Sequence, residues 1–335
     1  MSEPNWVDVV GFQIERVHTG VLYELLKNRD TAGAVLKGIV KGLKPDSQIE
    51  VNVETLMREA HAGGGPKTRA DLVAEISIDG AAYESLVIET KVDSNCEREQ
   101  LENEAREEAK CVLLAVGITG MQWRKPESAL PKNWSFVDAN TWRQALAEVS
   151  ELPAVFEDYC ARLDVEIEMQ HAALRSANGE ASPADEALIE GDPRGPQMVE
   201  WAWLSEVRCG LGEDNRDFGK NEAHETRVVF LRGTWLGVRG YPGMHHWIDL
   251  LVENGKRMLV LKADGGSREE RLRVWEMLGA DSEQRGFKRG SRPRRNSGGS
   301  FRVASLTFPE CETPSAASAK LSNVIQWSNC WSPTD

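Results

Sequence analysis

The stretch from Asp71 to Ile118 constrains the fold more than any other part of the chain. Asp71-Leu-Val-Ala-Glu-Ile-Ser-Ile78 alternates, with Leu72, Ala74, Ile76 and Ile78 on one face and Asp71, Val73, Glu75 and Ser77 on the other. A strand with two unlike faces has this period of two. Asp79-Gly80 is a turn signal, and Tyr83 to Val92 reads as a second strand. Glu97 to Lys110, EREQLENEAREEAK, is dense in charge and in helix formers and predicts a surface helix. Cys111 to Ile118, CVLLAVGI, is short, apolar and bounded by glycine, as a strand buried on both faces should be. Strand, helix and apolar strand in this order make a βαβ crossover, right-handed if the two strands are parallel. The expected class is α/β, with a mixed central sheet flanked by helices.

The flanking sequence extends this domain. Phe12, Ile14, Val17, Val21, Leu22, Leu25 and Leu26, then Val35, Leu36, Ile39, Val40 and Leu43, follow helical spacing and predict two packed helices separated by KNRDTAG. Ile49 to Ala60 reads as a strand turning into a short helix, and His61-Ala-Gly-Gly-Gly-Pro as a loop. A further strand is expected near Trp134 to Val137, and helical sequence from Thr141 to about Leu174. SANGEASPADEALIEGDPRGP, rich in Gly, Pro, Ser and acid, reads as a linker. The expected division is therefore a first domain over 1–174, a linker over 175–196 and a C-terminal α+β domain over 197–335. The last part holds seven of the eleven tryptophans and a hairpin in which Trp247 to Val252 and Arg257 to Leu261 flank Asn254-Gly255.

Bulk properties narrow the class. A net charge of −13 argues against nonspecific adhesion of the whole surface to nucleic acid, so any phosphate contact must be local. The six cysteines show no CxxC pair, which speaks against a zinc knuckle or a disulfide framework. No apolar run approaches the roughly 20 residues that span a bilayer, and MSEPNWVDVV lacks the pattern of a secretion signal. A cytoplasmic protein with no membrane partner is the expectation.

Chemistry concentrates on the two strands. Alternation puts Glu89 and Lys91 on one face, with Asp71 at the far end of the preceding strand. If Asp71 lies opposite Lys91 and Val73 opposite Glu89, then Asp71 and Glu89 are diagonal neighbours at roughly 7–8 Å between backbones. A hard cation that binds a scissile phosphate and activates water takes oxygen ligands from Asp and Glu, and Mg²⁺ suits them best. A lysine beside such an ion orients the attacking water or offsets charge building on the phosphate.

Arg69-Ala-Asp71 closing a Gly-rich loop, followed by Ile88-Glu89-Thr90-Lys91 ending a strand, resembles the D…ExK signature of the PD-(D/E)xK nuclease superfamily. The resemblance covers roughly Phe12 to Val137. It implies a restriction-endonuclease-like fold, dependence on Mg²⁺ with Mn²⁺ as a substitute, and hydrolysis of DNA phosphodiesters, in a setting such as defence against foreign DNA. Gln100-Leu101 resembles the version in which a glutamine on the next helix reaches back to the metal site. Glu15-Arg-Val-His18-Thr-Gly-Val-Leu resembles the first helix of related nucleases, which implies Glu15 as a further metal ligand. Two positions depart from the pattern: Ala70 stands where a proline is usual before the first acid, and Glu104 where a tyrosine often follows the glutamine. Many such nucleases are homo-oligomers, because cutting two strands needs two sites.

Plainer readings compete with these. An ExK at a strand end often only faces water, Gln100 on a charged helix is otherwise solvated, and Glu15 on an amphipathic helix is more often on its wet face. His18, His245 and His246 read as packed or turn histidines and Glu75 as a surface acid. Arg285 to Arg302 holds seven basic residues and no acid, so Lys288, Arg289, Arg292, Arg294 and Arg295 are the best candidates for contacting phosphates from a flexible loop. The rival functions are a catalytically silent scaffold of the same fold, an RNase, and a module that binds only protein.

Overall fold

The turn at Asp79-Gly80 sets the geometry of the first sheet. Both residues adopt positive φ, 52° and 76°, and the Asp79 carboxylate accepts hydrogen bonds from the Gln48 N–H at 2.7 Å and the Ser47 hydroxyl at 3.3 Å. Held this way, β2 (Arg69–Ile78) and β3 (Glu84–Lys91) pair antiparallel with Leu72 facing Ile88 and Val73 facing Val87. In the computed structural model the hairpin lies inside a five-stranded mixed sheet of order β1-β2-β3-β4-β5. Here β1 is Ile49–His61, β4 Lys110–Ala115 and β5 Trp134–Asp138. The pairs β3–β4 and β4–β5 are parallel, which settles the direction that the CVLLAVGI run left open. The structure describes residues 5–61, 69–94, 96, 98–105, 109–122, 130–131, 133–211, 218–221, 228–231, 233–253, 255–293, 299–309 and 312–332.

Helices cover the sheet on both faces. Before β1 come α1 (Trp6–Val10), α2 (Glu15–Lys27) and α3 (Arg29–Ile39). Asn28 alone separates α2 from α3 and caps the latter by accepting from the Asp30 N–H, so the connector expected from KNRDTAG is mostly helix. Then follow α4 (Arg98–Glu104), α5 (Ile118–Gln122), α6 (Ala139–Ala147) and α7 (Glu157–Asn178). One face of the sheet, with Leu72, Ala74, Ile76, Leu86, Ile88, Val112 and Leu114, packs with apolar residues of α2, α3, α6 and α7. The other carries Val73, Val87, Cys111 and Leu113 and packs with Leu101 of α4. Within the first core, Trp142 Nε1 donates to the Tyr159 hydroxyl at 2.8 Å, and that hydroxyl lies 2.7 Å from His18 Nδ1. His18 Nε2 lies 2.7 Å from the Phe12 carbonyl, which can only accept, so Nε2 carries the proton and Nδ1 takes the Tyr159 proton. Burial pushes this neutral imidazole down to about 4; His18 is a core histidine.

Two expected elements are corrected. Ile49 to His61 is strand throughout, with a register irregularity between Asn52 and Met57 where a helix was anticipated. Pairing along β2 supplies that segment's backbone partners and overrides its local preference. The linker expected over 175–196 is helical: α7 continues to Asn178 and α8 spans Pro183–Gly191. Ser182, Pro183 and Asp185 form a capping box with proline at the first helical position. Arg175 also grips Asp185 in an ion pair. A Gly, Pro, Ser and Asp content typical of linkers thus encodes a helix start.

Contacts divide the chain into a unit of 1–176 with 181–199 and a second of 177–180 with 200–335, the main division falling inside α9 (Gly195–Gly210). The second unit holds β6 (Phe218–Asn221), β7 (Val228–Leu231), β8 (Leu236–Val238), β9 (Tyr241–Glu253), β10 (Lys256–Gly265), β11 (Lys288–Arg289) and β12 (Phe301–Thr307). They form one antiparallel sheet with α10 (Arg268–Glu283) and α11 (Pro314–Ser328). The predicted hairpin is present, with Glu253 paired to Lys256 across a two-residue turn in which Gly255 takes φ 73°. Among the described residues no helix is long and apolar enough to cross a membrane.

Candidate active site

Glu89 and Lys91 project from the end of β3 on the face shared with Val87, and both are buried. Asp71 N–H donates to Glu89 Oε2 at 3.3 Å, while Asp71 Oδ2 accepts from the Thr90 N–H at 2.8 Å. One position beyond the Leu72–Ile88 pair, Asp71 therefore stands beside Glu89, whereas the expected register set it opposite Lys91. The correction moves the two carboxylates from a diagonal relation to a direct one. The turn at Asp79 is the physical cause, since its contacts with Ser47 and Gln48 select one of the registers that the loop length allows.

Two elements complete the group. From α4, the Gln100 amide donates to Glu89 Oε1 at 3.0 Å and to Glu104 Oε1 at 2.9 Å. From the first turn of α2, Glu15 Oε2 stands 3.8 Å from the Lys91 ammonium, and Glu15 Oε1 accepts from the Ser94 hydroxyl at 2.6 Å. Lys91 Nζ lies 2.6 Å from Glu89 Oε1. The structure thus gathers Glu15, Asp71, Glu89, Lys91 and Gln100, all five residues singled out in the first unit. It adds Glu104 and Ser94, which the sequence reading did not select. The sequence signal for Glu104 is its position four residues after Gln100, which places both on one helix face.

The group holds more buried acid than one lysine can balance. Burial raises Glu89 to about 8, with neighbouring Asp71 adding to the rise and Lys91 opposing it. Burial likewise raises Asp71, against the Thr90 N–H that favours its ionised form. It raises Glu104 as well, against the Gln100 amide. For Lys91 burial acts downward, but Glu89 and Glu15 outweigh it and the ammonium stays protonated.

A hard divalent cation takes oxygen ligands, and the donors gathered here are carboxylate oxygens. One of them, Glu104 Oε2, is buried without a hydrogen-bond partner among the described residues. In donor chemistry and in charge the residues fit such an ion. Among the described residues, however, no three His, Cys, Asp or Glu side chains are already gathered into a cage for an ion. The Lys91 ammonium and the Gln100 amide lie against the carboxylate oxygens that would have to converge.

Just past Lys91, the chain is braced. Arg194 reaches Glu166 at 2.7 Å, Asp192 at 3.0 Å and Asp93 at 3.3 Å, and Asp93 Oδ1 also accepts from the Ile118 N–H. Gly117 takes φ 68°, and a Cβ there would stand 2.6 Å from Asp93 Oδ1, so the junction requires glycine. The strand end that carries Glu89 and Lys91 is thereby tied to the end of β4 and to residues 192–194.

The basic candidates of the second unit do not form a uniform patch. Lys288 and Arg292 are exposed. Arg289 is engaged internally, paired with Glu283 at 2.9 Å and with its guanidinium 5.0 Å from the Trp275 ring centre. Arg294 and Arg295 lie outside the described residues, as does most of the Gly-rich loop before Arg69. His246 is buried against the Ser328 carbonyl, and Glu75 is a surface acid meeting Asn52. No family model, curated protein or solved structure matches this chain.

Proposed function

We propose that the first unit is a metal-dependent nuclease of the PD-(D/E)xK type with a restriction-endonuclease-like sheet, hydrolysing DNA phosphodiester bonds by water. The observation that carries this reading is the joined set of half-buried Asp71 with buried Glu89 and Lys91 on two paired strands, with Gln100 bonded to Glu89. Asp71 and Glu89 are the residues that would hold Mg²⁺, or Mn²⁺ in its place, with Glu15 at the margin. When bound, the cation supplies charge for the scissile phosphate and lowers the pKa of water. Lys91, fixed between Glu89 and Glu15, presents a permanent positive charge where an attacking water is oriented or a phosphate gathers negative charge. Gln100 donates to the same Glu89 oxygen that Lys91 meets, while the Asp71 N–H holds the other.

Duplex cleavage would call for two copies of the site, hence a homo-oligomer, and defence against foreign DNA is the setting this reading favours. The test is cleavage of plasmid and linear DNA by the purified protein with Mg²⁺, Mn²⁺ or EDTA, with Glu89→Ala alongside. Metal-dependent cutting lost in the variant supports the nuclease; cutting of RNA alone redirects it to an RNase. The closed contact between Lys91 and Glu89 favours one rival, a silent scaffold in which the lysine permanently takes the place of a cation. No cutting of either nucleic acid, together with no Mn²⁺ binding, would establish that rival.

A further inference from the structure

We propose that Glu104 is a third carboxylate of the cation site, so that the ion is held from α4 as well as from the β2–β3 hairpin. The inference rests on the nuclease reading for the presence of the ion, and it assigns a ligand that the D…ExK pattern does not contain.

Three observations carry it. First, Glu104 is 3 % exposed and its Oε2 has no hydrogen-bond partner among the described residues. A carboxylate withdrawn from water with an oxygen left over is unfavourable unless a proton or a cation meets it. Second, that carboxylate points into the group already described. The single Gln100 amide nitrogen donates to Glu104 Oε1 at 2.9 Å and to Glu89 Oε1 at 3.0 Å, so both acids converge on one donor. Octahedral Mg²⁺ sets its oxygen ligands about 2.0–2.1 Å from the ion and bridges wider gaps through retained waters. A hydrated ion would reach both carboxylates by taking the place of the amide that now lies between them.

Third, among the described residues Glu104 accepts a hydrogen bond from Gln100 alone. Leu101 on α4, and Ala105 just past the helix end, pack with apolar residues. Glu104 is the last residue of α4, the helix end at which a negative charge is disfavoured. The placement is accounted for if the carboxylate meets a cation arriving at Glu89.

The test is Mn²⁺ binding to the full chain, followed by the electron paramagnetic resonance of free Mn²⁺, for the wild type, Glu104→Gln, Glu104→Asp and Glu89→Gln. Glu104→Gln keeps an acceptor for Gln100 and removes only the charge, so the variant is expected to melt no lower than wild type without metal. It should bind Mn²⁺ about tenfold more weakly or worse, the scale of loss for a residue supporting a metal site, with Glu104→Asp intermediate. Wild-type binding that Glu104→Gln leaves unchanged, while Glu89→Gln abolishes it, overturns this assignment and leaves the nuclease reading standing. Absence of Mn²⁺ binding by the wild type overturns both. If Glu104→Gln does not fold, Glu104→Asp decides: weaker binding at an unchanged melting temperature supports the assignment, and unchanged binding overturns it.

Discussion

In the antiparallel sheet Asp249 of β9 meets Lys262 of β10 at 2.8 Å, much as Glu89 meets Lys91 at 2.6 Å in the mixed sheet. Each carboxylate is almost wholly buried, at 2 % exposure. The surroundings differ. Asp249 Oδ1 accepts from the Gly233 N–H at 2.9 Å, and its Oδ2 accepts from Trp247 Nε1 as well as from Lys262. Among the described residues Asp249 thus meets one cation, the part-exposed Lys262, and two neutral donors. Around Lys91 stand Glu15 and Glu89, with Asp71 and Glu104 next to Glu89. A balanced buried pair is a way to finish a fold; an excess of buried acid calls for a charge from outside.

Experiments that alter one pair at a time break or sharpen the contrast. The largest effect is expected for Glu89→Ala and Lys91→Ala, each lowering Mg²⁺-dependent cleavage by at least about 10²–10³-fold, the cost of removing a preorganised charge from an active site. Undiminished cleavage in either would place the two lysine pairs in the same structural class. Next, Asp249→Ala should destabilise the second unit by about 1–3 kcal/mol, because it leaves the buried Gly233 and Trp247 N–H donors without their acceptor. Denaturant unfolding followed by tryptophan fluorescence measures it, and the Mn²⁺ affinity of the folded variant should equal that of wild type.

A smaller effect separates the pairs by pH. Glu89 titrates at about 8 when folded against an ordinary 4.5. Between those values the folded protein holds a proton that the unfolded chain releases, so stability is fullest below 4.5 and falls as pH rises toward 8. In EDTA the melting temperature of the first unit should drop over that range, and Mg²⁺ should raise it more at pH 8 than at pH 6. A flat profile would mean that the excess acid is compensated within the protein. Smallest is Glu15→Gln, with a side chain 33 % exposed and 3.8 Å from the ammonium. It should cost cleavage only about threefold, within the modest worth of exposed ion pairs.

Much of the Glu89 and Lys91 side of this contrast was legible before the structure, and the Asp249–Lys262 pair was not. The alternation of 71–78 and 83–92 put Asp71, Glu89 and Lys91 on one face, and the apolar run after Lys110 marked a strand buried on both faces. Register was not legible. Pairings two residues apart bury the same faces, and the choice falls to Asp79, whose partners Ser47 and Gln48 precede β1. Glu104 stood in plain view four residues after Gln100, yet it read as a missing tyrosine because family patterns direct attention to what is absent. The 175–196 stretch was misread because Ser, Pro and Asp mean a linker by composition and a helix start by position. For Arg289, basic composition marked a phosphate contact, while only the fold reveals Trp275 and Glu283 beside it.

The brace behind Lys91 bears on how the protein is dissected. A fragment ending at Leu174, where composition invites a cut, would lack Arg194, the guanidinium bonded to both the wholly buried Glu166 and Asp93, and leave Glu166 only the weaker field of Arg162. A fragment carried to Val199 retains that counter-charge, and it is the shorter of the two that would yield insoluble protein.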